Sequence, residues 1–218
     1  MKSDKMSYIE NPVQIITRRY APQNQKIVID YPVVVGLPNP AVQQKLNTSI
    51  INLVNRLMHD QTEQLINQGY KQLNLNVQGF YEIKTNERGV LSLSIGNYTI
   101  AIPAAHGMTI IKSLTFDIQT GREYQLYDLF KPGSDYVKVL SGIISQQIKQ
   151  RNIILLNGFK SIKPNQDFYI ADKVLVIYFQ LYELTAYVFG FPQFPVSVYE
   201  IQDIVREDGP LGKMSING

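Results

Sequence analysis

The sequence predicts an α+β fold: a mainly antiparallel sheet with two principal helices packed on one side. Two long segments repeat apolar residues at spacings of three and four, as amphipathic helices do. Between and after them lie segments in which apolar and polar residues alternate, which is the pattern of half-buried strands. Short turns that contain glycine join several of these segments, so neighbouring strands are expected to run antiparallel.

The composition indicates a folded chain with little net charge. Of the 218 residues, 44% are hydrophobic, which is enough to bury a core in one domain or two small ones. A formal charge of +3 gives no support for nucleic acid as a partner. Cysteine is absent, so disulfides, thiolate catalysis and zinc–thiolate sites are excluded. No apolar run approaches the roughly 18 residues of a membrane span or forms a secretory signal near Met1, and we expect neither.

The first predicted elements are a strand and a long helix. The strand is KIVIDYPVVVG, residues 26–36, in which Pro32 indicates a sheet edge or a bulge. In the helix that follows, Asn39 is the expected N-cap, Pro40 the first helical residue and Gly69 the residue that ends it. Its apolar residues at helical spacing are Val42, Leu46, Ile50, Leu53 and Leu57.

Two hairpins are predicted in the middle of the chain. Gly89 and Gly121 supply the positive φ that their tight turns need. The paired segments are residues 74–85 with 90–101, and residues 108–118 with 122–130.

A second helix and further strands are predicted after the hairpins. The helix lies within residues 133–151, with Ser134 as its cap and with Val137, Leu140, Ile144 and Ile148 as its buried stripe. The apolar run 174–179 is typical of a strand that is covered on both faces or lies in the centre of the sheet. Gly190, Pro192 and Pro195 predict a loop before a short final strand.

These elements are expected to form two subdomains. Residues 12–104 hold the first strand, the long helix and the first hairpin. Residues 105–205 hold the second hairpin, the second helix and the last strands. Residues 1–11 and 206–218 are expected to be flexible ends.

Motifs of the common enzyme classes are missing. The chain contains no Gly-x-Ser-x-Gly elbow, no phosphate-binding Gly-x-x-x-x-Gly-Lys loop and no Gly-x-Gly-x-x-Gly turn. Its two histidines, His59 and His106, lie far apart in sequence and form no local metal motif, so we predict no metal and no cofactor. A hydrolase that uses paired carboxylates has no sequence motif and stays open as an alternative. Its candidate acids are Asp117, Asp128, Asp167 and Glu183.

The candidate binding residues lie on two loops. His106 is flanked by small residues in PAAHGMT, and an imidazole that hydrogen-bonds a loop carbonyl explains this segment better than a catalytic base. The loop ELTAYVFGFPQFP is rich in aromatic residues, which on loops are common binding anchors but on strands fill cores. We predict no catalytic residue. The candidate ligand-binding or partner-binding residues are His106, Tyr182, Glu183, Tyr187, Phe189 and Phe191.

Three stretches resemble a bacterial family of domains of unknown function. YPVVVGLPNPAVQQKLN is similar to the opening of the family's domain. SLTFDIQTGREYQLYDLF and DFYIADKVLVIYFQLYELTAYVFGFPQFPVSV are similar to its second half, so that the resemblance covers most of the chain. Domains of this family form the extracytoplasmic part of the anti-sigma factor RsiV, where the domain is a lysozyme receptor. A relative precedes the catalytic domain of the peptidoglycan deacetylase PdaC.

The resemblance implies an α+β fold in two parts and a noncatalytic, extracytoplasmic role at the bacterial cell envelope. The implied partner is a lysozyme-like protein or peptidoglycan. Because the chain has no recognisable sigma-binding segment or deacetylase domain, we expect neither of those activities. We therefore predict a binding module in which the two loops form a groove. The alternatives are a small carboxylate-dependent hydrolase of cell-wall material near His106, and an oligomeric scaffold that associates through an edge strand.

Overall fold

The computed structural model describes residues 13–23, 26–70, 74–102, 104 and 106–215. Two substantial helices and two mostly antiparallel sheets confirm the predicted α+β class. The strands are divided between two sheets, where the sequence had suggested one. Within the described ranges, no helix is both long enough and apolar enough to cross a membrane. The first eleven residues, predicted to be flexible, lie outside the described part of the chain.

The first sheet has five strands. They are β1 (Gln14–Tyr20), β2 (Lys26–Val35), β3 (Leu75–Glu87), β4 (Val90–Ala101) and β5 (Met108–Asp117). They lie side by side in chain order and run antiparallel, except that β2 and β3 run parallel. The parallel pair needs a long crossover, which helix α1 (Pro40–Asn67) provides. β1 was not predicted from the sequence, and it forms one edge of this sheet.

Helix α1 has the predicted ends and the predicted buried stripe. The Asn39 side chain accepts hydrogen bonds from the backbone N–H groups of Ala41 (3.0 Å) and Val42 (3.3 Å). Gly69, just beyond the helix, has a φ of +95°. The stripe packs on the sheet face that carries Leu91, Leu93 and Ile95, and together they form the first core.

The second sheet has three antiparallel strands: β6 (Phe168–Ala171), β7 (Val174–Tyr178) and β8 (Gln193–Ser197). β7 is the central strand, as the apolar run 174–179 predicted, and Leu175 and Ile177 are fully buried. Helix α2 (Tyr136–Gln150) buries Leu140, Ile144 and Ile148 in the second core. Pro195 lies within β8, an edge strand, and not in the loop before it as predicted.

The second sheet packs on the first sheet through polar residues of β3, β4 and β5. The backbone N–H of Ile170 donates to Ser92 Oγ (3.1 Å), and Thr85 Oγ1 donates to the carbonyl of Ile170 (2.9 Å). Because Ser92 lies between Leu91 and Leu93 on β4, this contact is on the sheet face opposite α1. β5 pairs with β4, so the first sheet extends past the predicted subdomain boundary at residue 104.

A side-chain amide pairs with β2 where this strand extends beyond β3. Pro32 lies beyond the part of β2 that pairs with β3, at the local edge that it predicted. There, Asn47 on α1 accepts a hydrogen bond from the N–H of Val34 and donates one to its carbonyl, both at 2.8 Å. A side chain of the helix therefore takes the place of a neighbouring strand at this one residue of β2.

Two local predictions were wrong. In place of a strand, residues 122–130 form two isolated bridges, Glu123 with Phe116 and Phe130 with Val205, on either side of a 3₁₀ turn at Leu126–Leu129. Side chains occupy the N–H groups that a strand would pair: Asp128 binds the N–H of Gln125, and Asn165 binds that of Leu126. Ser134 is not the cap of α2, because the helix begins one residue later than that role requires.

The C-terminal tail contains structure that the sequence did not predict. Within the segment expected to be flexible, residues 210–215 form helix α3 (Pro210–Ser215). Leu211 and Met214 of this helix are fully buried in the second core. The backbone N–H of Arg206 donates to the carbonyl of Leu129 (3.0 Å), which ties the approach to α3 to the 3₁₀ turn.

Candidate functional site

Three of the predicted binding residues form a row of rings at the surface. The ring centroids of His106 and Tyr187 are 5.5 Å apart, and those of Tyr187 and Tyr182 are 5.7 Å apart. The Tyr187 hydroxyl also lies 3.5 Å from the carbonyl oxygen of Gly107. The loops around His106 and Tyr187 therefore touch, as the predicted groove requires. We call His106, Tyr187 and Tyr182 the aromatic row.

A tight turn presents Tyr182 to solvent. The backbone N–H of Glu183 donates to the carbonyl of Gln180 (3.1 Å), which closes the turn. Tyr182 adopts a φ of +64°, which is uncommon for a residue other than glycine. Its side chain is 48% exposed, so the turn holds a large ring at the surface and not in the core.

The side chain of Glu183 stabilises this turn. Its carboxylate accepts hydrogen bonds from the N–H of Gln180 (2.9 Å) and from Lys163 Nζ (2.6 Å). Burial alone would raise the pKa of Glu183, but the hydrogen bonds from Lys163 and Gln180 hold that pKa below its ordinary value. The charged carboxylate is therefore engaged within the protein, and its role in the structure is to support Tyr182.

Phe189 and Phe191 lie on the same loop outside the aromatic row. Phe189 is exposed at the end of a 3₁₀ turn that spans Tyr187–Phe189, and Gly190 follows it with a φ of +66°. Phe191 is partly buried. Among the described residues, neither phenylalanine ring stacks on another ring.

A cleft of about 780 Å³ opens beside the aromatic row, and sequence analysis did not find it. One wall is the exposed side of α1 and of β5, and the other is formed by residues 123–125, 165–168 and 180–182. Tyr182 belongs to this second wall. The cleft carries both signs of charge, on Arg56, Asp60, Lys112, Glu123 and Asp167.

A hydrogen-bonded network fixes the cleft wall at the open edge of β5. Lys112 Nζ lies 2.8 Å from each oxygen of the Asp167 carboxylate. The Gln180 amide donates to Asp167 (2.8 Å) and to the carbonyl of Ile111 (2.6 Å), and it accepts from the N–H of Ile111 (3.2 Å). Gln180 thus pairs with β5 as Asn47 pairs with β2, and the polar wall is held in place without a ligand.

A smaller pocket of about 280 Å³, here called the side pocket, lies next to His106. Its walls are the C-terminal end of α1 on one side and Thr99, Ala104 and residues 106–108 on the other. Gln64 and Met108 line both the side pocket and the cleft, so the two depressions adjoin. The aromatic row runs from one to the other, because Tyr182 lines the cleft and His106 lines the side pocket.

The four acids named for a hydrolase are all engaged in ion pairs. Each binds its own basic residue: Asp117 with Lys213, Asp128 with Arg122, Asp167 with Lys112, and Glu183 with Lys163. The side pocket has no acidic residue in its lining, and His106 Nδ1 lies 3.3 Å from the carbonyl oxygen of Gly107. Across the described ranges, no three histidine, aspartate or glutamate side chains are placed to hold a metal ion.

Two family models match consecutive segments of the chain. Residues 21–109 match the family described as deacetylase PdaC, and residues 127–199 match the family described as a protein of unknown function, DUF3298. The peptidoglycan-N-acetylmuramic acid deacetylase PdaC of Bacillus subtilis (strain 168) is 26% identical over 144 residues. That alignment covers 63% of this chain but 30% of the deacetylase, so the chain spans under a third of this relative.

Solved structures share the whole fold. A DUF3298 family member from Bacteroides fragilis NCTC 9343 superposes with a TM-score of 0.70 at 13% identity, over 94% of this chain and 98% of that one. A DUF3298 family protein from Pseudomonas aeruginosa PAO1 gives a TM-score of 0.65 at 11% identity, over 95% and 98%. At these identities the likeness concerns the fold alone. The resemblance seen in the sequence is therefore confirmed: residues 21–109 are similar to the PdaC family and residues 127–199 to the DUF3298 family.

Proposed function

We propose that the chain is a noncatalytic module that binds cell-wall glycan along the cleft and the aromatic row. The observation that carries the proposal is the position of the row. Tyr182 lines the cleft, His106 lines the side pocket, and the ring of Tyr187 contacts both of the others. An extended polymer lying across this surface would meet two depressions and a line of exposed rings.

The chemistry of the surface suits a sugar chain. Pyranose rings have apolar C–H faces that stack on aromatic rings, and tyrosine combines such a face with a polar end. Their hydroxyl groups need donors and acceptors, which the charged and amide side chains of the cleft supply. A volume of about 780 Å³ lies within the range of roughly 300–1,000 Å³ that is usual for ligand sites.

Two observations favour binding without catalysis. The four candidate acids are each engaged by a separate basic residue, and of the four only Asp167 lines the cleft, so they do not form a carboxylate pair there. The Bacillus subtilis relative is named for an action on peptidoglycan, but the chain aligns with only 30% of it. From this relative we therefore infer the polymer that the chain binds, but not a reaction that it catalyses.

The experiment is a calorimetric titration of the purified chain with soluble peptidoglycan glycan fragments from which the stem peptides have been removed. Saturable binding is expected. The fragments recovered after the titration should have the same length and the same acetyl content as before. Absence of binding at millimolar fragment would overturn the proposed ligand. Cleaved or deacetylated fragments would instead support the hydrolase alternative.

A lysozyme-like protein is the second candidate partner. It is favoured by exposed apolar side chains in the loop formed by residues 183–192. Val188 is 83% exposed and is followed by the exposed Phe189. Apolar side chains in such positions are typical of surfaces that bind proteins. Titration with a c-type lysozyme tests this partner, and binding should be lost in Val188→Asp but kept in Val139→Asp, a change on the exposed side of α2. If the parent chain does not bind lysozyme, this candidate is removed.

A further inference from the structure

We infer that the side pocket receives the N-acetyl group of an amino sugar in the bound glycan. This inference rests on the proposed function and assigns the chemical class of the sugar. At about 280 Å³ the side pocket has little more than a third of the volume of the cleft, which is about 780 Å³. It therefore suits a substituent that projects from the polymer, while the sugar rings lie on the aromatic row.

The apolar part of the pocket suits a methyl group. Leu65 on α1 lines the pocket together with Ala104 and Met108, which lie before and at the start of β5. Burying a methyl group in such surroundings favours binding, since the favourable free energy scales with the apolar area removed from water. A hydroxyl group in the same place would lose hydrogen bonds to water.

The polar part of the pocket suits an amide. Gln64 lies on the last turn of α1 and Gln68 is the residue that follows the helix, four positions further on, and both side chains line the pocket. Neither side chain has a hydrogen bond to another described residue. Each offers a carbonyl acceptor and an NH₂ donor, the two partners that an acetamido group needs for its N–H and its carbonyl.

The floor of the pocket is fixed before any ligand binds. Gln61 is 2% exposed, and its NH₂ group donates to the carbonyls of Asn97 and Met108, both at 2.9 Å. Its carbonyl oxygen accepts from the Thr99 hydroxyl (2.9 Å) and from the Asn97 amide. All hydrogen-bonding groups of Gln61 are therefore engaged, so the amides free for a ligand are those of Gln64 and Gln68.

The pocket is also placed correctly relative to the polymer path. Gln64 and Met108 separate it from the cleft, and the ring of His106 stands between it and Tyr187. A sugar ring stacked near His106 would project a substituent into the pocket without leaving the row. The side pocket therefore has to accommodate one substituent of the sugar ring that lies near His106.

The test compares two neutral β-1,4-linked tetrasaccharides, the N-acetylglucosamine tetramer and cellotetraose, which carries hydroxyl groups in place of the acetamido groups. Calorimetry with the parent chain should give roughly tenfold tighter binding of the N-acetylated tetramer. Leu65→Phe, which fills the pocket, should remove this preference. Ile66→Phe places the same ring on the neighbouring exposed position and should keep it.

Each outcome separates the pocket from the proposed function. Equal affinity of the parent chain for both sugars, with peptidoglycan fragments still bound, overturns the acetyl pocket and leaves glycan binding in place. No affinity for any of these glycans overturns the proposed function itself. A preference that survives in Leu65→Phe overturns the location. If Leu65→Phe does not fold, Ala104→Met fills the pocket from its opposite wall and should give the same loss.

Discussion

The Nζ atom of Lys213 lies 2.8 Å from Oδ2 of Asp117, although 96 residues separate the two in sequence. Asp117 ends β5, and Lys213 is on the C-terminal helix α3. The other carboxylate oxygen of Asp117 accepts hydrogen bonds from the backbone N–H groups of Gln119 (3.0 Å) and Thr120 (2.9 Å). One buried carboxylate thus shapes the turn after β5 and attaches α3 to the first sheet.

Lys213→Met should lower the free energy of unfolding by about 1–3 kcal/mol, because it removes a hydrogen bond between charged groups and leaves the carboxylate of Asp117 without its cation. Methionine keeps most of the apolar part of the lysine side chain, so the lost stability is due mainly to removal of the ammonium group. Urea unfolding followed by circular dichroism measures the change. Asp208→Asn, which removes the exposed pair with Arg206, is the control and should leave stability unchanged. Equal losses in both variants would contradict the anchoring role of Asp117.

Stability should fall as the solution is acidified, and two carboxylates should account for part of the loss. Burial alone would raise the pKa of Asp117, but the hydrogen bonds from Lys213 and Thr120 hold that pKa below its ordinary value of 3.8. The pKa of Glu183 is likewise held below its ordinary value of 4.5. In acid the unfolded chain therefore binds more protons than the folded one. The stabilisation is complete above the ordinary pKa values and is lost as pH falls through the lower folded ones.

Urea unfolding between pH 7 and pH 2.5 measures this dependence. The double variant Asp117→Asn, Glu183→Gln should be less stable than the parent at pH 7 and should lose less stability on acidification. Parallel curves for the two proteins would show that other groups cause the loss.

The parts of the fold that depend on local sequence were predictable. The ends of α1 follow from Asn39 and Gly69, whose capping roles involve residues within one turn of the helix. The segment 122–130 has the residues of a strand, but Asn165 occupies one of its N–H groups from 39 positions away. β1 was missed because it is an exposed edge strand with little apolar patterning.

The candidate site was predictable only in part. The loops that carry His106 and Tyr187 stood out by composition, and the structure places their rings together. The cleft could not be recognised in the sequence, because its wall depends on a contact between Gln180 and Ile111, which are 69 positions apart. The glutamines of α1 look like an ordinary solvated helix face until folding sets them beside Met108.

Tyr182→Ala and Tyr187→Ala should each weaken the binding of peptidoglycan glycan fragments roughly tenfold, since exposed aromatic rings commonly carry more than 1 kcal/mol of binding free energy. Calorimetric titration measures the affinities. Tyr20→Ala is the matched control: Tyr20 is 48% exposed, as Tyr182 is, but lies on β1. The binding surface proposed here would be wrong if all three variants bound as tightly as the parent chain.

Gln61→Leu should lower the free energy of unfolding by about 1–3 kcal/mol, because it removes the side-chain donor to the carbonyls of Asn97 and Met108 and the acceptor of the buried Thr99 hydroxyl. Leucine has a similar volume, so packing changes little. Gln64→Leu, three residues along the same helix but exposed, should leave stability unchanged. Urea unfolding distinguishes the two, and a Gln61→Leu variant as stable as the Gln64→Leu variant would show that the buried network contributes nothing.

Alanine in place of two helical glycines should change stability in opposite directions. Gly142 lies on the exposed side of α2 with open space around an added Cβ, so Gly142→Ala should stabilise the protein by about 0.5–1 kcal/mol. In α3 an added Cβ at position 212 would overlap the backbone carbonyl oxygen of Glu207. Because backbone cannot move aside as a side chain can, Gly212→Ala should displace α3 and destabilise the protein. Thermal unfolding of both variants beside the parent measures the two effects, and a stabilised Gly212→Ala variant would show that α3 packs less closely on residues 206–207 than the structure has it.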